Sequence, residues 1–439
     1  MTVTDRVLVT GATGFVGGLV LRGLVHAGRP VRVLVRRPSD RERLLVGGVE
    51  LALGNLGDEE AMARAADGCA TIYHLAGMNR LCLADPAPLY RVNVEGTRRV
   101  LEAARRAGVR RVVYTSSAAT LGGDGRHVVD ESNTDPGELT SHYARSKYEA
   151  EQVALGFDGV EVVAVNPSSV QGPGRTTGTA KVFIDYLNGK LPFDLPARFG
   201  LCYTDDCVAG HLLAERSGVP RQRYVLNTAT VSNAEALELI GGIAGLRDRP
   251  RTLPLWLAMT VATGIELTSS WRGKEPKLCR ESVRTLGHPH LYDGSRAERE
   301  LGLRYTPLRQ AMEATVRWYV DQGLVTRPLP AIAPAGAPGA AWPWDHGAAG
   351  SESGAAAPGG ARAQGEAGTG AAGARRPAAG RGGAVDGRAG GGRGVKGDPS
   401  VGRPGRARQA AGPEAPAAGA SRGDGGPAQA AGEQRSERP

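Results

Sequence analysis

The chain of 439 residues contains only five cysteines, Cys69, Cys82, Cys202, Cys207 and Cys279. Their number is odd, their spacing is irregular, and none forms a Cys-x-x-Cys pair or stands near a plausible histidine partner. Buried free thiols in a reducing compartment are therefore expected, and no metal site. Long apolar runs are also missing. The most apolar stretch, residues 253–265, is too short to span a bilayer and runs into Glu266, so a packed helix is expected and no membrane span. A strand pattern begins within a few residues of Met1, so no signal peptide is expected and a cytoplasmic protein is. The formal charge of +9 invites a nucleic-acid partner. Arginines near the C-terminus supply a good share of it, and no nucleic-acid-binding signature accompanies it, which excludes that class. From residue 328 onward Ile, Leu, Phe and Tyr almost vanish, and Ala, Gly, Pro and Arg dominate. Such a segment buries too little apolar surface to offset the entropy of ordering it. Residues 328–439 are expected to be a disordered tail, or the product of out-of-frame reading of GC-rich DNA.

The rest of the chain alternates short apolar runs with helical patterns. Strands are expected at 6–10, 31–35, 49–53, 71–76, 111–116 and 160–165. Helices are expected at 15–27, 58–66, 89–107 and 140–155, with Asp58 capping the second of them. Strands and helices alternating at this spacing imply βαβ units in an α/β, doubly wound parallel sheet. Ligands bind such sheets outside the carboxyl ends of the strands, where the strand order reverses. Residues 1–168 are read as the nucleotide-binding domain, its core elements continuing to about residue 230. Residues 169–327 are read as a smaller substrate lobe closed by a helix at 309–323. Asp206 is expected to cap a helix at 208–215.

Gly11, Gly14 and Gly17 follow the first strand and open the first helix. Glycines so spaced allow a tight turn, close approach to a pyrophosphate and close helix–sheet packing, with free N–H groups offered at the helix start. Thr13, Phe15 and Val16 lie within that turn. The motif marks a Rossmann-type dinucleotide site. Arg36 lies 19 residues beyond Gly17 at the end of the second strand. An NAD-selective site places a carboxylate there to hold the ribose 2′-OH, whereas a guanidinium suits the 2′-phosphate of NADP. NADP is the expected cofactor, with NAD the alternative.

Tyr143 and Lys147 stand four apart, on one face of a helix. An unperturbed phenol has a pKa of about 10, and a neighbouring ammonium lowers it towards the working range. Ser117, at a strand end 26 residues before Tyr143, carries a hydroxyl that can stabilise charge on a substrate oxygen; Ser116 is its fallback. Tyr143, Lys147 and Ser117 form the candidate catalytic triad.

These motifs together, with Tyr73 to Gly77, Tyr90 to Thr97, Tyr114 to Ser117 and Asn166 to Ser169, identify the chain as resembling the extended short-chain dehydrogenase/reductases, the NAD-dependent epimerase/dehydratase group. Within it the chain is most similar to the bacterial hopanoid-associated sugar epimerases and to dihydroflavonol-4-reductases. The resemblance runs from Arg6 to about Val325. It implies that Leu75, Ala76 and Gly77 line the cofactor's central ribose and phosphates, and that Thr115, Tyr143 and Lys147 also touch the cofactor. Asn93 is implied to hold the helix and a water leading to Lys147, and Pro167 and Ser168 to pack near the nicotinamide. Where the family has an Asp after the third strand, this chain has Asn55, followed by Leu56; the Asn carbonyl can still accept from the adenine amino group. Relatives often dimerise through the counterparts of helices 89–107 and 140–155.

Three reactions share this machinery: ketone/alcohol redox, epimerisation through a transient ketone, and dehydration. Dehydratases carry an Asp-Glu pair beside the catalytic hydroxyl, where this chain has Ala118 and Ala119. That disfavours dehydration. Arg36 favours an NADPH-dependent reductase acting on a small ketone or alcohol. A sugar(-nucleotide) epimerase that retains its cofactor, and an NADP-binding regulator without catalysis, are the alternatives.

Overall fold

Val7, Leu8 and Val9 are fully buried, as an unbroken apolar run demands of a strand covered on both faces. They belong to β1 (Val7–Thr10), an interior strand of a sheet built by repeated strand–helix steps. Along the chain follow α1 (Phe15–His26), β2 (Val31–Val35), β3 (Glu50–Leu53), α2 (Glu59–Ala66) and β4 (Thr71–His74). Next come α3 (Ala87–Tyr90), α4 (Gly96–Arg106), β5 (Arg111–Thr115), α5 (His142–Leu155) and β6 (Glu161–Pro167). The computed structural model describes residues 5–333 except 45, 273 and 277. The chain divides into a unit reaching Ala355 and a second from Ala356 to Pro439; the second lies outside the described residues, and with it most of the expected tail.

The second half supplies β7 (Ser169–Gln171), α6 (Thr179–Leu187), β8 (Phe193–Asp194), β9 (Arg198–Tyr203), α7 (Thr204–Ser217) and β10 (Arg223–Leu226). It ends with β11 (Ala229–Ser232), α8 (Asn233–Ala244), β12 (Arg251–Thr252), α9 (Leu255–Trp271), α10 (Arg280–Gly287) and α11 (Leu308–Asp321). The large sheet has seven strands in the order β10-β6-β5-β4-β1-β2-β3, and every pair is parallel. The order reverses between β1 and β4. The connections from these neighbours therefore leave towards opposite faces and open a crevice at the carboxyl ends. Apolar residues of α1 and α7 cover one face, and those of α2, α4 and α5 the other. A separate core joins α6, α8 and α11 beneath the small sheet β11-β9-β7. The fold is thus the Rossmann-type doubly wound sheet with a smaller lobe.

The helix expected at 89–107 runs from α3 into α4 through a wider π turn at Arg91–Glu95. Asp58 caps α2 as expected, accepting from Ala61 N at 2.9 Å. Four readings need correction. First, Asp206 does not cap α7, which starts two residues earlier at Thr204. Its carboxylate instead accepts from Thr228 Oγ1 at 2.6 Å and Thr306 Oγ1 at 2.7 Å, stapling distant loops to α7. Second, Cys82 and Cys279 form a disulfide across a sequence separation of 197, a pairing invisible to local spacing; Cys69, Cys202 and Cys207 are free and buried. Third, Cys207 does have a histidine beside it, His211, one turn along α7 with the sulfur 3.9 Å from Nδ1. Fourth, the globular part extends past residue 327. Leu329 is buried against the α6–α8–α11 core, and Ala331 N donates to Ala244 O at 3.2 Å. The helix expected at 253–265 is present as α9 but packs only by its inner face. Ala258 and Ala262 are buried, while Trp256 and Trp271 are exposed. Among the described residues no helix is long and apolar enough to cross a membrane.

One buried ion pair anchors α5 to the sheet. Glu151 is fully buried and meets Arg223 Nη1, on β10, at 3.0 Å. Thr120 Oγ1 and Asn166 Nδ2 also donate to Glu151, and Arg223 donates further to the carbonyls of Glu131 and Asn133. Removing one member of such a pair strands a charge in the interior at a cost of about 3–5 kcal/mol, whereas replacing both with apolar groups can be near neutral. Arg223→Met is expected to lower unfolding stability by roughly that amount, and Glu151→Met/Arg223→Met to recover most of it. Urea midpoints of the three proteins test this; a double variant no more stable than the single would contradict the pairing.

Candidate active site

The turn after β1 is shaped by backbone contact. Gly11 adopts φ +78°, and a Cβ there would lie 2.5 Å from Ala76 N. A Cβ on Gly17 would lie 2.1 Å from Gly11 O. Only glycine permits the loops after β1 and β4 to touch and α1 to pack onto the turn. Gly14 precedes α1, and no side chain caps the helix, so its first N–H groups remain for an anion.

Two adjoining cavities run along the carboxyl ends of the strands. One, of about 610 Å³, is lined by Gly11, Thr13, Gly14, Leu75, Ala76 and Gly77, and ends at Arg36, Asn55 and Leu56. The other, of about 490 Å³, is lined by Phe15, Val16, Gly17, Thr115, Ser117, Tyr143, Lys147, Pro167 and Ser168. Every candidate cofactor-binding or catalytic residue except Asn93 lines one of them. Asn93, in the π turn, is buried behind the wall: its Oδ1 accepts from Met78 N at 2.7 Å, and its Nδ2 donates to Met78 O at 3.0 Å and Ser146 Oγ at 2.9 Å. It ties the loop after β4 to α5 directly. Asn55 Oδ1 accepts from Gly57 N at 2.7 Å, an Asx turn that occupies the carbonyl expected to meet adenine.

Ser141 caps α5 by accepting from Ala144 N at 3.2 Å, which fixes where Tyr143 and Lys147 emerge. Tyr143 and Ser117 line the same cavity; Ser116 is buried beside the strand end. Burial pushes the Tyr143 phenol above its ordinary value, against the smaller lowering effects of the Ser117 hydrogen bond and the Arg175 guanidinium. Lys147 lines the same cavity as Tyr143. Its Nζ donates to Tyr114 OH at 2.8 Å and Thr115 O at 2.7 Å, so the ammonium is directed to the strand end. Burial lowers its pKa to about 7, with Glu151 opposing. Thr115 turns its hydroxyl away to His211 Nε2, at 2.9 Å. Ser168 Oγ donates to Asn227 Oδ1 at 2.9 Å. The arrangement places two hydroxyls, Tyr143 and Ser117, together at one point of a cavity wall. It can hydrogen-bond one substrate oxygen and exchange a proton with it.

Residues 7–226 match the NAD dependent epimerase/dehydratase family. The chain belongs to this family. A relative named putative dihydroflavonol 4-reductase, from Synechocystis sp., is 36% identical over 336 residues, covering 74% of this chain and 97% of its own length. Among solved structures, the chain described as gox2253 is 32% identical with a TM-score of 0.63, over 74% of this chain and 100% of that one. MoeE5, solved in complex with UDP-glucuronic acid and NAD, is 26% identical with a TM-score of 0.56, over 71% and 98%. The protein is accordingly an NAD(P)-dependent enzyme of the extended short-chain dehydrogenase/reductase type, in a family with both reductases and epimerases.

Sequence reasoning missed two features of this site. Arg175 lines the catalytic cavity, but it follows a Gly-Pro-Gly turn with no periodic pattern to flag it. Glu151 reads as a surface position, because nothing local signals its partner 72 residues on.

The burial of Lys147 has a consequence for stability. An unfolded lysine keeps its proton to about pH 10.4, whereas the folded group loses it near 7. Between these values the unfolded chain binds the extra proton, so stability rises with pH there; below 7 the penalty is present in full. The stability of the parent protein relative to Lys147→Met is expected to climb between pH 7 and pH 10. Denaturant midpoints across that range test it, and a flat difference would contradict a desolvated ammonium.

Proposed function

We propose that the protein is an NADPH-dependent reductase that converts a ketone to an alcohol, with Tyr143 as proton donor, Ser117 as oxyanion stabiliser and Lys147 as positioning group. The observation that carries this reading is the absence of any Asp or Glu among the described residues lining the cavity around Tyr143. Dehydration and other reactions that abstract a proton from carbon need such a base; Ala118 and Ala119 stand in its place. A protonated phenol can give its proton to the carbonyl oxygen as hydride reaches the carbon. That is the direction of reduction. Ser117 steadies the same oxygen as charge develops.

Glycine's close contacts at Gly11 and Gly17 leave a backbone cradle that fits a dinucleotide. The bound nicotinamide supplies the hydride. Preference for NADPH is supported at the far end of the groove, where Arg36, Arg43 and Arg99 gather. The one carboxylate there, Asp40, is engaged by Arg37 at 3.3 Å and Arg43 at 3.8 Å, so it is not free to hold a ribose hydroxyl. Small-molecule ketones are the substrate class, and the NADP site residues are those named above.

Tyr143→Phe is expected to lower kcat about 10²–10⁴-fold, the usual worth of general acid catalysis, with NADPH affinity nearly unchanged; full turnover would overturn the assignment. A charge-assisted hydrogen bond contributes about 1.5–3 kcal/mol, so Arg36→Ala is expected to weaken NADPH binding roughly 10–100-fold and leave NADH binding alone. Fluorescence titration reads both. A panel of ketones and sugar nucleotides with NADPH decides the reaction: net NADPH consumption with a ketone supports the reductase, and sugar isomerisation without consumption would replace it with an epimerase.

A further inference from the structure

Arg175 enters the catalytic cavity with no carboxylate to meet it. The residue is half-buried and lines the same wall as Tyr143. Its Nε donates to Thr177 O at 3.1 Å, and its guanidinium carbon lies 5.0 Å from the centre of the Phe15 ring. Among the described residues it makes no ion pair, and its Nη groups have no acceptor. A partly buried cation without a counter-charge is well placed to receive an anion.

Its position says which anion. Phe15 is the first residue of α1, whose N-terminus has no side-chain cap. A helix N-terminus carries about half a positive charge. The helix end and the guanidinium stacked on its first side chain both favour an anion. The flat guanidinium stacks on the ring face while its forked N–H edge stays free for paired oxygens. We propose that Arg175 clamps an anionic phosphate-type group at the start of α1, and that this group is the diphosphate bridge of the cofactor. This rests on the reading that the groove takes a dinucleotide. An acidic group on the substrate has the same chemistry and is the other source.

The diphosphate is common to both dinucleotides, so the clamp has a signature distinct from that of Arg36. In titrations followed by nicotinamide fluorescence, Arg175→Gln is expected to weaken NADPH and NADH alike, about 10–100-fold. Arg175→Lys is expected to recover part of the loss and to steepen its dependence on salt, since a point charge replaces a fork. Sodium pyrophosphate is expected to compete with NADPH less well on Arg175→Gln than on the parent protein. Melting temperatures equal to the parent's establish that the variants are folded. Unchanged dinucleotide affinity together with loss of malonate or phosphate binding to the NADP⁺-loaded protein would assign the clamp to a substrate acid. Unchanged affinity for dinucleotides, pyrophosphate, phosphate and malonate would overturn it. If the parent protein bound neither dinucleotide, the cofactor reading would fail while the pyrophosphate comparison still judged Arg175.

Discussion

A carboxylate with no exposed surface survives as a charge only beside a cation and hydrogen-bond donors, and Glu151 has both. Its pairing with Arg223 fastens helix α5 to the edge strand β10, with Asn166 and Thr120 adding donors from β6 and the turn after β5. Tyr143 and Lys147 sit about two turns and one turn before Glu151 on that helix. Their positions over the strand ends therefore follow from a charge contact in the core. In the same way, Asn93 and Ser146 lock the helix to the loop after β4, so the cofactor side and the catalytic side of the crevice share one frame.

Burial then sets the chemistry of both groups. Desolvation disfavours whichever form is charged, so it raises the phenol and lowers the ammonium. Tyr143 is kept as an acid, and Lys147 is brought close to neutrality while bound to Tyr114 and Thr115. A phenol and a serine hydroxyl at one point, in a cavity free of carboxylates among the described residues, form a site for giving a proton to an oxygen. The basic end of the groove, around Arg36 and Arg43, suits the cofactor that drives reductions.

Much of this was legible in the sequence, because local patterns encode it. Unbroken apolar runs such as 7–9 and 112–114 mark strands buried on both faces. The three glycines announce a turn that only they can adopt. The i, i+4 spacing of Tyr143 and Lys147 puts both on one helix face. What escaped depends on contacts between distant segments. The Cys82–Cys279 bond, the Glu151–Arg223 pair and the Thr306–Asp206 staple join residues with no shared local pattern. The partners of Lys147 escaped for a related reason: spacing places two side chains on one face, but Tyr114 and the carbonyl of Thr115 hold the ammonium. The boundary of the tail was set by composition alone, which could not register that Leu329 and Ala331 pack against α8 and its neighbours.

The family holds enzymes that pass a hydride out to a product and enzymes that return it to the same substrate. These fates separate in one experiment: a single turnover of [4-²H]NADPH with the ketone and sugar-nucleotide panel, analysed by mass spectrometry. One deuterium is expected on the carbinol carbon of a reduced product, with release of NADP⁺. Deuterium kept by the cofactor, or an isomerised sugar with no net oxidation of NADPH, would contradict the reductase assignment.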